Sequence, residues 1–178
     1  MQENLLDYVP AAGAMQGRVI LVTGAAAGLG KAIATACAQA GATVVLLDKD
    51  MRRVEETYDE IVNAGYPEPA IYPLDMQGAT AKDYADLASN IEQQLGGLHG
   101  LVLNAAWLAC FTPVKHYDTE LWSKMIMVNL HANFLLTHAC LPLLEKSADS
   151  SIVFASHTSN KAYFGAFGVA KNGMQAFC

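Results

Sequence analysis

Gly24, Gly28 and Gly30, in the stretch TGAAAGLG, stand between the apolar run RVILVTG (18–24) and the alanine-rich KAIATACAQAG (31–41). At a strand-to-helix junction, Gly24 permits a tight turn, Gly28 lets the backbone approach a pyrophosphate, and Gly30 allows close helix packing. The helix N-terminus then offers unpaired N–H groups to the phosphate. A junction that merely favours glycine is the plainer alternative. Asp48 closes the next apolar run, ATVVLLD (42–48). An acid there accepts both hydroxyls of an adenosine ribose and repels a 2′-phosphate, which favours NAD over NADP. A helix cap or a solvated turn acid is the alternative for Asp48, and the cations Lys49, Arg52 and Arg53 stand close enough to offset the repulsion.

A second set of chemical groups gathers near the end of the chain, around YFGAFGVAK (163–171). A phenol one helical turn before a lysine makes an acid–base pair, because the cation lowers the phenol pKa. Here the residue one turn before Lys171 is Phe167, and Tyr163 lies two turns before it. Tyr163 shares the lysine's face only if the helix runs back through Gly168 and Gly165. Ser156 closes the preceding apolar run and His157 adjoins it; histidine is the side chain most used for proton transfer. Core aromatics at 163 and 167, with no proton donor, are the plainer reading. His131 and His138 have no Cys or acid in ligand spacing and read as packed or solvated rather than metal-binding.

The elements that position these groups alternate along the chain. Apolar strands are expected at 18–24, 42–48, 69–75, 98–105 and 150–156, and helices at 31–41, 51–65, 81–97, about 119–146 and from about 165. Strands that are apolar throughout and alternate with helices imply a parallel sheet covered on both faces. Right-handed crossovers make it a doubly wound, Rossmann-type α/β/α arrangement. With 178 residues, 53% of them hydrophobic, the chain suits one domain over 17–178, preceded by a loosely ordered arm at 1–16.

Composition excludes several functions. A net charge of −6 argues against nucleic acid and anionic membranes, both of which need a basic patch. The arm carries Glu3 and Asp7 and lacks the basic start of a secretion signal. The apolar stretch from Leu130 to Leu144 is broken by His131, Asn133, His138 and Pro142, so no membrane span is expected. Cys37, Cys110, Cys140 and Cys178 have no paired spacing, which fits reduced thiols in the cytoplasm. The helix around Trp122–Leu144 and the last one, with Phe164, Phe167, Val169, Met174 and Phe177, are apolar nearly all round and need burial on more than one side.

Taken in order, the motifs resemble the short-chain dehydrogenase/reductase family over residues 17 to 178. The glycine pattern is similar to the family's TGxxxGxG. Asp75 stands where an acid contacts adenine, and LNAA (103–106) resembles NNAG, with Asn104 matched and Ala106 where Gly is usual. Asn129 matches an asparagine in the long fourth helix, Ser156 a serine closing the fifth strand, and Lys171 the lysine of YxxxK. The resemblance implies hydride transfer between a nicotinamide and a small alcohol or ketone. Cofactor-binding positions would then be Gly24, Gly28, Leu29, Gly30, Asp48, Asp75, Asn104 and Lys171. In the catalytic set, Ser156 orients the substrate oxygen, Asn129 holds a water leading to Lys171, and Lys171 anchors the nicotinamide ribose. A homodimer or homotetramer through two-fold helical interfaces is also implied. On their own chemistry, Asn104 and Asp75 suit tying down loop backbone equally well, and a buried Asn129 needs a partner in any case.

Three departures stand out. Phe167 takes the tyrosine position, leaving Tyr163 or His157 as substitutes. Ser156 lies fifteen residues before Lys171, two fewer than usual, so His157 aligns with the serine equally well. The sequence stops at Cys178 within its last helix, where the family continues through two more strands, so a short or incomplete member is expected. These departures leave two readings: an NAD-dependent oxidoreductase with altered proton chemistry, or a dinucleotide-binding protein that has lost catalysis. In either, the Phe167 ring is expected beside Lys171, with Ser156 or His157 facing the same cleft.

Overall fold

Runs of Val, Ile and Leu without polar alternation need cover on both faces. In the computed structural model, which describes residues 10, 11, 13–157 and 162–177, they have it. The strands are β1 (Val19–Thr23), β2 (Thr43–Asp48), β3 (Ala70–Pro73), β4 (Gly100–Leu103) and β5 (Ser151–Phe154). They form one parallel sheet in the order β3-β2-β1-β4-β5. The helices are α1 (Gly28–Gln39), α2 (Met51–Asn63), α3 (Ala81–Leu95), α4 (Thr119–Ile126), α5 (Ala132–Leu144) and α6 (Gly165–Phe177).

Successive residues of each strand serve opposite faces. Leu21, Val45, Leu47 and Leu101 pack on one side with Tyr84, Leu87 and Ile91 of α3 and Leu136, Cys140 and Leu143 of α5. Ile20, Val22, Val44 and Leu46 pack on the other with Ala34 and Ala38 of α1 and Val54 and Ile61 of α2. The small residues on α1 let that helix sit close to the sheet. Local signals mark the ends: Asp50 caps α2 by accepting from Arg53 N at 3.3 Å, and α3 stops at Gly96, whose φ is +80°.

The doubly wound class read from the sequence is the observed one, with element ends revised. β3, β4 and β5 are shorter than their apolar runs, because pairing ends before the apolar residues do. Consequently β5 ends at Phe154 and neither Ser156 nor His157 closes it. The helix expected over 119–146 contains a π-helical turn, Met127–His131, joining α4 to α5. By length and composition Thr119–Leu144 could cross a membrane, yet one face of α5 lies on the sheet as part of the core. Within the arm Met15 is packed: its N donates to Ala40 O at 2.9 Å and its side chain lies against the core beside α1, while the other described arm residues are exposed.

Leu21 sits in the central strand with no solvent exposure. Leu21→Ala should cost about 2–5 kcal/mol, read as a lower urea midpoint at constant slope.

Candidate functional site

The strand order reverses between β1 and β4, and a cleft opens at the carboxyl ends of the strands there, where open parallel sheets bind ligands. Gly24, Asp48, Asp75, Ala105, Trp107 and Val128 are among the residues lining it. Gly24 has φ +70° and Gly28 φ +54°, a region unfavourable for residues with a Cβ. At Gly30 the limit is space: a Cβ would lie 2.0 Å from Gly24 O and 2.6 Å from Asn104 Nδ2. Nothing stands within 4 Å of a Cβ built at Gly28, so that side of the turn is open. Ala27 provides no side-chain cap to α1, leaving the first-turn N–H groups for an anion. Leu29, in that turn, is exposed.

Thr23, which the sequence reading passed over, holds the floor of the cleft together. Its Oγ1 accepts from Asn104 N and Ala105 N, each at 3.0 Å, and donates to Val102 O at 3.3 Å. Asn104 Nδ2 donates to Thr23 O at 3.1 Å, so its amide ties loop backbone. A hydroxyl at the end of a strand that leads into glycine was the available signal.

Asp48 faces the cleft with a carboxylate that also organises two turns. Oδ1 accepts from Lys49 N at 2.7 Å and Asp50 N at 3.1 Å; Oδ2 accepts from Ala26 N at 3.2 Å. That leaves Oδ2 with one open acceptor position. Asp75 accepts from Gln77 N at 3.0 Å, and Lys49 Nζ lies 3.8 Å from its Oδ2.

Asn129 sits in the π turn with no exposure. Its Oδ1 accepts from Trp107 N at 2.9 Å, while Nδ2 donates to Trp107 O and Met125 O, both at 2.8 Å. Both amide hydrogens are therefore used, and the side chain clamps the loop after β4 where the resemblance had implied a water holder. Its own carbonyl accepts from Asn133 Nδ2 at 3.0 Å.

Trp107 connects the cleft to a second cluster, in which Phe167, Met125 and Ala166 are buried. Lys171, 3% exposed, donates from Nζ to Ala155 O at 2.9 Å. Its ammonium lies 5.7 Å from the Phe167 ring centroid. Phe167 is thus beside the lysine, as expected, and also part of the core. Burial pushes the Lys171 ammonium below the ordinary lysine range. Ser156 Oγ donates to Lys171 O at 3.4 Å. The exposed His157 ring stands 6.0 Å from that of Phe167. Tyr163 precedes α6 with φ +73° and is 58% exposed, so it does not share a helical face with Lys171. His131 and His138 flank Phe134 on α5, and no cluster able to hold a metal occurs among the described residues.

Comparison with known proteins gives a consistent picture. The family profile described as short chain dehydrogenase matches residues 18–178. Uncharacterized oxidoreductase YciK of Escherichia coli is 32% identical over 169 residues, covering 93% of this chain and 67% of that protein. Short chain dehydrogenase mpl6 of Monascus purpureus is 36% identical over 140 residues, 77% of this chain and 48% of its own length. Among solved structures, a short chain dehydrogenase from Pseudomonas syringae superposes with a TM-score of 0.93 at 41% identity, over 96% of this chain and 72% of that one. One from Shigella flexneri, complexed with NADP, gives 0.88 at 31% identity, over 92% of this chain and 70% of that one. The chain thus spans about two-thirds of YciK and about half of the fungal protein.

The buried ammonium sets a pH dependence. Between its lowered folded pKa and the ordinary value of 10.5, the unfolded chain binds the extra proton, so stability rises with pH across that window. Lys171→Met should flatten the rise in urea midpoint as the pH climbs toward the ordinary lysine value of 10.5. Equal slopes in the two proteins would contradict it.

Proposed function

Since the chain belongs to the short chain dehydrogenase family, we propose that it binds NAD(H) and interconverts a small alcohol and its ketone or aldehyde. The observation that carries this reading is the cradle at the switch point. Gly30 has no room for a side chain, Gly28 holds an open left-handed backbone at the start of α1, and Gly24, Asp48 and Asp75 line the cleft. Those features fit a dinucleotide: first-turn N–H groups of α1, with Leu29 among them, for the pyrophosphate, Asp48 for the adenosine ribose, and Asp75 beside the adenine. When bound, the nicotinamide exchanges a hydride with the substrate carbon.

The chain's own residues supply position and charge. Lys171 keeps two N–H groups beyond its bond to Ala155 O, enough for the hydroxyls of the nicotinamide ribose. Asn129 fixes the Trp107 backbone and so the wall between cofactor and substrate, with Asn104 holding the floor. Ser156 orients the substrate oxygen after turning away from the Lys171 carbonyl. A second reading, a cofactor-binding protein without catalysis, is favoured by one observation: Phe167 packs where a phenol would be the proton donor. The free thiols Cys37, Cys110 and Cys140 suit the reducing cytoplasm; Cys178 lies outside the described residues.

The preference for NAD rests on the Asp48 carboxylate, which would lie against a 2′-phosphate. NADP is what the Shigella flexneri structure holds, and Lys49, Arg52 and Arg53 are exposed here. Calorimetric titration should give tighter binding of NAD(H) than of NADP(H), with the preference lost in Asp48→Ala. Tighter NADP(H) binding, or a preference unchanged by the substitution, would reverse the assignment.

Phe134 and Leu141 on α5 and Val169 and Phe177 on α6 are all at least 41% exposed. Burying them against a symmetry mate gives a homodimer or homotetramer with two-fold interfaces. Light scattering at micromolar concentration should report a dimer or larger; a monodisperse monomer would contradict it.

A further inference from the structure

A carbonyl reduction needs a proton as well as a hydride, and Phe167 has none to give. Its ring is buried against Met125, Ala166 and Trp107, and the Lys171 ammonium faces it at 5.7 Å. Nearby phenols do not replace it. The Tyr117 hydroxyl is turned inward, donating to Met125 Sδ at 3.3 Å and accepting from Ala166 N at 3.3 Å. Tyr163 sits in a left-handed turn outside α6, with its carbonyl accepting from Thr112 N at 3.2 Å.

His157 is placed differently. It lies beyond the carboxyl end of β5, beside Ser156, and its exposed imidazole stands 5.3 Å from the Phe164 ring and 6.0 Å from the Phe167 ring. The angle to Phe167 is 66°, so the imidazole is edge-on to the ring that occupies the donor position. Phe111, 60% exposed, continues this row of rings outward through an edge contact with Phe164 at 5.0 Å. A substrate approaching along these rings meets the exposed imidazole beside Ser156 at their inner end. Among the described residues, the titratable groups that contact this cluster include Lys171 on α6 and Tyr117 from the loop before α4.

We infer that His157 is the catalytic acid and base of this chain, acting on apolar ring ketones and their alcohols in place of a phenol at position 167. The inference rests on the oxidoreductase reading above. In reduction, the carbonyl carbon takes the hydride from the reduced nicotinamide and the C=O π pair moves to oxygen. An imidazolium N–H bond breaks and an O–H bond forms on that oxygen. The products are the alcohol, the oxidised cofactor and a neutral imidazole, which water reprotonates because the ring is exposed. Oxidation of the alcohol runs the same steps backwards.

Two readouts test it. The first is turnover of 1-indanone with NADH in the unsubstituted chain, His157→Gln, and His157→Gln combined with Phe167→Tyr. His157→Gln should lose about 10²–10⁴-fold in turnover and keep its NADH affinity within about twofold; adding Phe167→Tyr should restore turnover. The second readout needs no turnover. With five histidines in the sequence, the ring C–H resonances can be assigned by substitution, and that of His157 should shift when 1-indanol is added to the cofactor-loaded protein. Turnover that survives in His157→Gln, or a His157 resonance indifferent to 1-indanol, overturns the inference and leaves the oxidoreductase reading standing. Cofactor binding with no turnover of ring or open-chain ketones overturns both.

Discussion

The approach of α1 to β1 sets the geometry on which the rest of the cleft depends. At Gly30 a methyl group would lie 2.0 Å from the Gly24 carbonyl oxygen, far inside any tolerable contact. Closeness of that kind aims the start of α1 at the strand ends and brings Asn104 within reach of β1. Thr23 then accepts two loop N–H groups that would otherwise be buried without partners. An unpaired buried group costs about 1–3 kcal/mol, so one hydroxyl governs the floor of the site well beyond its own bond. Asp48 extends the same logic, since its carboxylate accepts backbone N–H groups from the glycine turn and from the start of α2. The groups that would meet a ligand are thus held by the bonds that shape the turns.

A second device couples this floor to the far end of the cleft. The π turn at Met127–His131 carries Asn129 into the interior, and its amide grips both backbone groups of Trp107. Insertion of one residue into a helical turn frees a carbonyl, and here Asn133 supplies the donor to it. Trp107 then belongs at once to the cleft wall and to the cluster around Phe167. The amide is fully buried and its bonds to Trp107 and Met125 are 2.8–2.9 Å, so it fixes the loop after β4 to the π turn.

Around Lys171 the balance is finer. Removing an ammonium from water is costly, and the chain offsets this with one carbonyl and the face of an aromatic ring. A phenylalanine in that place keeps the packing and the cation–π contact and removes the exchangeable proton. The packing of that position and its capacity to give up a proton are therefore separable.

Much of this was legible in the residues themselves. Apolar runs alternating with helical segments determined the parallel, doubly wound sheet, because buried strands cannot alternate polar and apolar faces. The spacing of Gly24, Gly28 and Gly30 and the acid at the end of β2 marked the glycine turn and the carboxylate beside it, since those demands are local. Tertiary structure decided the rest. Whether Asn129 held water or backbone depended on where the loop after β4 passes, a contact across twenty-two residues. The hydroxyl of Thr23 before Gly24 marked a candidate, but its partners lie about eighty residues away and only the fold brings them to it. The place of Tyr163 turned on where α6 begins: with Gly165 at φ +51° and the Tyr117 ring against it, the helix does not run back to carry Tyr163 over Lys171. Local chemistry is written in neighbouring residues; long-range pairing of buried polar groups is settled only when the chain has folded around them.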